Sequence, residues 1–369
     1  MGGGEPIVQQ SMLTCSTLDT DACIEQSMAL VDVGCQVVRI TAQTKKYAAN
    51  LENILAGIRA RGSNVPVVAD IHFKPDAAME AVKWCEMVRV NPGNYADSKK
   101  FVIREYTDEQ YAAELERIEE QFAPLVEECK MRGRALRIGT NHGSLSDRIM
   151  NRFGDTPLGM VESALEFAHI ARKLDFHNFK FSMKSSNPKV MIECYRLLAA
   201  RLAELGPDWN YPLHLGVTEA GEGEDGRIKS AIGIGSLLCD GLGDTIRVSL
   251  TEDSPNEIAV CNDLIEQIRE LTDAEADVSN VALAYDPFDY RRRSTPEIEL
   301  ADGVKCGGEQ TIRVVVIQSA WDKLVPRIKP GDDVKPEAIY EELNVMEVDS
   351  REEFTVNCDT QLVTVKDGV

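Results

Sequence analysis

Short segments in which apolar and polar residues alternate recur between residues 6 and 250 of the chain. Alternation with a period of two is typical of β-strands, and we predict eight of them. Their ranges are 6–12, 35–42, 65–73, 87–93, 135–141, 179–186, 212–220 and 244–250. Between them lie longer stretches whose apolar residues recur at helical spacing. The longest stretch begins at Thr107, a residue type that favours the N-terminal cap of a helix.

The repeated succession of strand and helix predicts an α/β fold, a (β/α)8 TIM barrel over residues 1–274. An open doubly wound sheet would need a glycine-rich turn after its first strand. The segment "QSMLTCSTLD" contains no glycine, which argues against that alternative. Residues 275–369 are acidic and irregular. We interpret them as a connector and the start of an inserted α/β domain that remains incomplete in this chain.

One face of most predicted strands is apolar, and the other carries polar or charged residues. Helices cover the outer face of a barrel, so the polar faces must point to its axis. Five cations then converge near the C-terminal ends of the strands, namely Arg39, Arg89, Arg137, Lys184 and Arg247. The evident inward carboxylates are Asp70 and Glu219, so at least three cations lack a partner. Buried ion pairs are one interpretation; we favour a polyanionic ligand held by arginine forks.

Neutral donors and one carboxylate complete the candidate site. The segments "NPGN" and "NHGSL" combine amides with glycines that let backbone N–H groups approach a ligand. The further candidates are Asn91, Asn141, Ser249 and His72. We predict that Glu219, at the end of the seventh strand, faces the cations and acts in proton transfer or contacts a hydroxyl. The alternative is that Glu219 is an ion-pair partner of Lys184 or Arg247.

Composition narrows the classes of function. The net charge of −21 disfavours nucleic acid and anionic membranes as general partners. No apolar run approaches 18 residues and no charged-then-apolar leader begins the chain, so we expect neither a membrane span nor a secretory signal. The ten cysteines form no C-x-x-C pair, which excludes zinc-ribbon and two-cysteine redox motifs. They are typical of buried thiols in a reducing compartment.

An ordered set of motifs resembles a known family. It comprises "QSM", "VRIT", "VADIHF", "VRVNPGN", "RIGTNHGSLSDRI", "SMKSSN", "HLGVTEAGEGEDGRIKSAIGIG" and "LGDTIRVSL". These runs look like 4-hydroxy-3-methylbut-2-enyl diphosphate synthase, in the long form of plants and some bacteria. The resemblance implies an iron–sulfur oxidoreductase of the methylerythritol phosphate route of isoprene biosynthesis. Such an enzyme opens the ring of 2-C-methyl-D-erythritol 2,4-cyclodiphosphate and removes a hydroxyl, with electrons from ferredoxin or flavodoxin through a [4Fe-4S] cluster.

The resemblance also implies roles for individual residues. Diphosphate binding falls on Arg39, His72, Arg89, Asn91, Arg137, Asn141, Lys184, Arg247 and Ser249, and Glu219 is the catalytic carboxylate. The family's cluster ligands lie in a separate C-terminal domain, and nothing in this chain matches them, so we predict no metal ligand here. The chain alone is then expected to bind substrate without converting it. The implied location is cytoplasmic in a bacterium or the plastid stroma in a plant, and a homodimer is compatible with the resemblance.

Two alternatives stay open at this point. The first is a pterin-binding barrel of the dihydropteroate synthase type, which would need other loop motifs and would not need five cations. The second is a non-catalytic anion-binding barrel. An iron–sulfur absorbance band in the intact gene product would separate the synthase from the second alternative.

Overall fold

The computed structural model describes residues 1–96, 106–273, 296–310, 313–329, 336, 338–343, 345–348 and 362–365. Contacts between residues divide the chain into two units, Met1–Ala276 and Asp277–Val369. In the described part of the chain, no helix combines the length and the apolar character that a membrane crossing requires.

Eight parallel strands form the first unit's sheet, in the spatial order β6-β5-β4-β3-β2-β1-β8-β7. They are β1 (Val8–Met12), β2 (Val37–Thr41), β3 (Val67–Asp70), β4 (Met87–Val90), β5 (Ala135–Asn141), β6 (Phe179–Lys184), β7 (His214–Leu215) and β8 (Thr245–Ile246). A parallel bridge between Phe181 and Leu213 joins the two ends of this order. The sheet therefore closes on itself, and the predicted (β/α)8 barrel is confirmed.

Helices follow the strands around the barrel. They are α1 (Thr20–Asp32), α2 (Lys45–Ala60), α3 (Pro75–Ala81), α4 (Pro92–Tyr95), α5 (Asp108–Arg132), α6 (Asp147–Phe153), α7 (Pro157–Lys173), α8 (Pro188–Leu205), α9 (Gly223–Ser230), α10 (Ser236–Cys239) and α11 (Pro255–Asp273). A π-helical turn, Ala231–Gly235, joins α9 to α10. Thr107 caps α5 in a reciprocal arrangement with Gln110, as its position in the sequence predicts.

The outer faces of the strands hold the helices in place. Val38 and Ile40 of β2, Val88 of β4 and Ile138 of β5 point away from the barrel axis and are fully buried. They belong to one continuous apolar core that also includes the inner faces of the helices. Burying one such side chain contributes about 1.5–3 kcal/mol, so this layer is the main source of the barrel's stability.

Two differences from the sequence-based expectation have simple causes. β7 and β8 are only two residues long, although backbone hydrogen bonds continue beyond them: Arg247 N donates to Leu215 O at 3.0 Å. The segment "HLGVTEAG" contains glycines and leads into a turn. Both features end the regular pairing of β7 with its neighbouring strands early. The short helices α3, α4 and α6 were not predicted, because four to seven residues are too few to reveal a helical period.

The second unit contains three small sheets in its described residues. β9 (Ile298–Ala301) pairs with β10 (Val304–Cys306) in antiparallel fashion. β11 (Val315–Val316) pairs with β12 (Ala338–Ile339), and β13 (Val345–Val348) with β14 (Leu362–Val365), both in parallel. One helix, α12 (Gln318–Leu324), lies between β11 and β12 in the chain. That these residues begin an inserted domain remains a prediction.

Candidate functional site

A cavity of about 70 Å³ lies at the C-terminal ends of the barrel strands. Eight of the ten predicted site residues line it, and they come from six strands or the residues directly after them. The lining consists of Arg39, Asp70, His72, Arg89, Arg137, Asn141, Lys184, Val217, Thr218, Arg247 and Ser249. Strand parity therefore correctly predicted that these side chains converge, because inward side chains of neighbouring strands meet at the same level.

Asp70 is the centre of the polar contacts in this cavity. It is fully buried, and its carboxylate lies 3.1 Å from Nη2 of Arg39, 3.1 Å from Nη1 of Arg89 and 3.3 Å from Nε2 of His72. Burial alone would raise the pKa of Asp70. The two guanidinium groups and the His72 hydrogen bond outweigh burial and hold this pKa well below its usual range. Asp70 is therefore ionised and fixes the two arginines.

Arg247 has a carboxylate partner that strand parity could not reveal. Glu257, in the first turn of α11, lies 2.9 Å from Nη2 of Arg247 and accepts a further hydrogen bond from Ser11 Oγ at 2.7 Å. Glu257 is almost completely buried. The expectation that at least three cations lack a partner is thus wrong, because Asp70 serves two arginines and Glu257 serves a third.

Arg137 and Lys184 remain without a carboxylate among the residues that the structure describes. Arg137 is 1% exposed, and its Nε and Nη1 atoms have no hydrogen-bond partner in that part of the chain. Burial, reinforced by Arg39 and Arg89, lowers the pKa of Arg137 well below its usual value. Burial and neighbouring arginines lower the pKa of Lys184 in the same way. Three of the five cations thus pair with two carboxylates and the other two have none, and this imbalance favours an anion in the cavity.

Two glycines make room for these long side chains. A Cβ atom on Gly139 of β5 would lie 2.6 Å from Nε of Arg89, whose Nη2 donates to the Gly139 carbonyl at 2.7 Å. A Cβ atom on Gly216 would lie 3.1 Å from Nζ of Lys184. A side chain at either position would occupy space that a cation now fills.

The glycine-containing loops do not offer their N–H groups to the cavity. Gly93 N donates to the side chain of Asn91, and a Cβ atom on Gly93 would lie 1.9 Å from Ser144 O. Gly93 therefore permits close packing of two loops. Gly143 N donates to Asp155 at 3.1 Å. Asn91 caps α4 and is absent from the cavity lining, which corrects its predicted placement; of the two segments, only Asn141 lines the cavity.

Glu219 does not face the cations as we expected from the sequence. It lies exposed in a turn after β7, with the left-handed backbone angle φ of 53°, and it is absent from the cavity lining. Thr218 lines the cavity instead, and its buried Oγ1 has no partner among the described residues. Parity counted from His214 of β7 agrees with the position of Thr218, whereas Glu219 has the opposite parity; the expectation for Glu219 rested on its position at the strand end and is wrong.

A larger cavity of about 620 Å³ adjoins the first and shares His72 and Arg247 with it. Its other walls come mainly from the loop between β1 and α1, including Leu13, Thr14 and Thr17. The polar groups of this loop and the two shared residues can contact hydroxyl groups of a ligand whose anionic part lies among the arginines.

The described residues do not fit an iron–sulfur cluster. No group of three His, Cys, Asp or Glu side chains in this part of the chain is placed to hold a metal ion. The described cysteines are free, and most are buried in the apolar core. A [4Fe-4S] cluster takes four thiolate-type ligands around one site, and the described cysteines are not gathered in that way.

Comparison with known proteins gives one family. The family model described as "GcpE TIM-barrel domain" matches residues 1–262. A 4-hydroxy-3-methylbut-2-en-1-yl diphosphate synthase (flavodoxin) of Akkermansia muciniphila is 54% identical, covering 100% of this chain and 64% of that protein. The flavodoxin-type enzyme of Protochlamydia amoebophila is 63% identical over 72% of this chain and 40% of that protein.

A plant protein is also similar. The chloroplastic 4-hydroxy-3-methylbut-2-en-1-yl diphosphate synthase (ferredoxin) of Oryza sativa subsp. japonica is 54% identical, covering 80% of this chain and 40% of that protein. The chain thus spans between 40% and 64% of the length of these three curated relatives.

Proposed function

Because the chain belongs to the GcpE TIM-barrel family, we propose that it is the substrate-binding barrel of a 4-hydroxy-3-methylbut-2-en-1-yl diphosphate synthase. Its ligand is then 2-C-methyl-D-erythritol 2,4-cyclodiphosphate. One observation carries the proposal: five cationic side chains line a cavity at the barrel mouth, and only three of them pair with a carboxylate, either Asp70 in the lining or Glu257 on α11. A cyclic diphosphate supplies two negative charges at adjacent phosphorus atoms and would compensate most of this excess.

In this proposal the barrel's own residues bind and orient the substrate. Arg137 and Lys184, which lack a carboxylate in the described structure, contact the diphosphate most directly. Arg39 and Arg89 are fixed by Asp70 and present their remaining N–H groups to the same oxygens. Asn141 and Ser249 add neutral donors. Since the phosphates are anchored, the ring carbons and the hydroxyl group point to the adjoining cavity.

The electrons for reductive ring opening and dehydroxylation come, by the names of the relatives, from flavodoxin or ferredoxin. We propose the same class of donor for the full-length enzyme, with a [4Fe-4S] cluster as the carrier. The described residues do not fit that cluster, so we assign no redox step to this barrel. The name of the plant relative places that protein in the chloroplast. For this chain we propose a bacterial cytoplasm or a plastid as the location, a homodimer as the assembly, and neither a nucleic-acid nor a membrane partner.

The binding proposal is tested by calorimetric titration of the cyclodiphosphate into the 369-residue chain. Lys184→Met should weaken binding by about 1.5–3 kcal/mol, because a charge-assisted contact is lost. Lys173→Met is the matched control, since Lys173 is 67% exposed and pairs with Glu119 on the barrel's outside. Absence of binding by the unaltered chain, or equal affinity in both variants, would contradict the proposal.

We propose that Glu219 takes part in the reaction. It lies in an exposed turn, next to Thr218, which lines the cavity. Glu219→Gln in the full-length enzyme should keep substrate affinity and lose turnover, because the amide has neither charge nor basicity. Unchanged turnover would show that Glu219 has no catalytic role.

A further inference from the structure

A second polar layer lies inside the barrel, below the cation cavity. The interior of a TIM barrel is ordinarily filled by branched apolar side chains. Here four fully or almost fully buried polar residues occupy it: Gln10, Lys180, His214 and Thr245. We call these four residues the lower layer. None of them was singled out from the sequence, although Lys180 shares the inward face of Ser182 and Lys184.

Three members of the lower layer form a chain of hydrogen bonds. Lys180 Nζ donates to Thr245 Oγ1 at 3.2 Å, and Thr245 Oγ1 lies 2.7 Å from His214 Nδ1. Because the ammonium group only donates, the Thr245 hydroxyl is free to donate to His214. Burial, reinforced by Arg137, lowers the pKa of His214 well below its usual value, so the ring is neutral and accepts at Nδ1.

Lys180 is a neighbour of the anion site through the strand register. Arg137 of β5 and Lys180 of β6 are directly paired, and both point inward. The charged groups that act on Lys180 are Arg137 from β5 and Asp244 before β8, and the titratable ring of His214 faces it from β7. No carboxylate lies within ion-pair distance of Lys180 in the described part of the chain.

Some polar atoms of the lower layer also lack a hydrogen-bond partner among the described residues. Both polar side-chain atoms of Gln10, and Nε2 of His214, are buried without a partner among the described residues. An unpartnered polar group in a dry interior lowers stability, so a purely structural barrel would replace these residues by apolar ones. Their presence indicates that the layer acts on what binds above it.

We propose that Lys180 is a positioning residue of the anion site, which takes up a proton when the diphosphate binds and so strengthens the hold of Arg137 and Lys184 on the ligand. The inference rests on the proposed function, because it requires the cyclodiphosphate to occupy the cation cavity. The Thr245–His214 pair accepts from the ammonium form and holds Lys180 beneath Arg137.

The electrostatics give the direction of the pH dependence. In the empty barrel, burial and Arg137 lower the pKa of Lys180 to about 7. A bound dianion raises this pKa again, so ligand binding draws in a proton when the pH is above about 7. Affinity is therefore greatest at low pH and falls as the pH rises through the pKa of the bound state. Each phosphorus of the cyclic ligand carries a single strongly acidic group, so the ligand itself does not titrate in this range.

The test is calorimetric titration of the cyclodiphosphate in buffers of different ionisation enthalpy, at about pH 6, 7 and 8. The unaltered chain should take up more protons per ligand at pH 8 than at pH 6. Lys180→Met should remove much of this uptake and, at the lower pH, weaken binding on the order of tenfold. Lys173→Met is the control and should behave as the unaltered chain. Thr245→Val provides a second variant, whose proton uptake should shift to lower pH because the ammonium loses its acceptor.

The outcomes separate the two proposals. If the unaltered chain binds and Lys180→Met shows the same proton uptake and the same slope of affinity against pH, the role of Lys180 is wrong and the binding function stands. A weakened affinity with unchanged pH slope would likewise contradict it, since that is the result of a packing defect. If the unaltered chain does not bind the cyclodiphosphate, the proposed function fails and this inference fails with it.

Discussion

The two faces of the same barrel strands differ sharply in chemistry. Toward the helices, Ile40 and Ile138 are fully buried among apolar neighbours. Toward the axis, the adjacent residues Arg39 and Arg137 are also buried, but they are charged. The outer face stabilises the fold through area removed from water. The inner face opposes folding through desolvated cations, so its retention indicates a function that the outer face does not have.

The largest expected effect comes from the carboxylate that holds the inner face together. Asp70→Asn leaves Arg39 and Arg89 unpaired and should lower the free energy of unfolding by about 3–5 kcal/mol. Urea denaturation measures this loss. Since the pKa of Asp70 is held well below its usual value of about 3.9, its contribution is present above that pH and is lost on acidification. An unchanged urea midpoint would show that Asp70 does not organise the arginines.

The outer face should respond differently. Ile138→Ala removes buried apolar volume and should destabilise the barrel by about 2–5 kcal/mol. Binding of the cyclodiphosphate by the folded variant should remain close to that of the unaltered chain, because Ile138 points away from the cavity. Denaturation together with titration checks both parts. A large loss of affinity with little loss of stability would contradict the division between the two faces.

A smaller effect on ligand affinity is expected at Gly139, whose missing side chain leaves room for Arg89. Gly139→Ala places a methyl group 2.6 Å from Nε of Arg89 and should weaken ligand binding by about 1–2 kcal/mol as Arg89 moves. Gly235→Ala is the matched control, since nothing lies within 4 Å of its added methyl group. This control should stabilise the chain by about 0.4–1 kcal/mol without changing affinity. Equal affinity in the two variants would contradict the proposed role of Gly139.

The sequence predicted the barrel and most of the cavity because both depend on strand parity. Arg39, Arg89, Arg137 and Lys184 lie on strands that are four to seven residues long, where a period of two is reliable. The expectation for Glu219 failed because it rested on the position of this residue at the strand end; parity counted from His214 favours Thr218, and Glu219 lies in a turn with a left-handed backbone angle.

Features that depend on tertiary contacts could not be predicted. Glu257 lies on α11, and its approach to Arg247 depends on how that helix rotates against the barrel. The packing of Gly93 against Ser144 depends on the meeting of two loops. Lys180 is different, because its inward position follows from the spacing to Lys184 and could have been inferred. What the sequence does not show is that Thr245 and His214 lie beside it.

The central claim is that the inner cations are kept for a ligand and not for stability, and Arg137→Met tests it most directly. Thermal unfolding of this variant and the unaltered chain is measured with and without the cyclodiphosphate. Without ligand, the variant should be more stable by on the order of 1 kcal/mol, because a buried cation with unpartnered N–H groups is replaced by an apolar side chain. With ligand, the unaltered chain should gain the larger increase in melting temperature. A variant that is less stable without ligand and keeps the full ligand-induced increase would contradict the account.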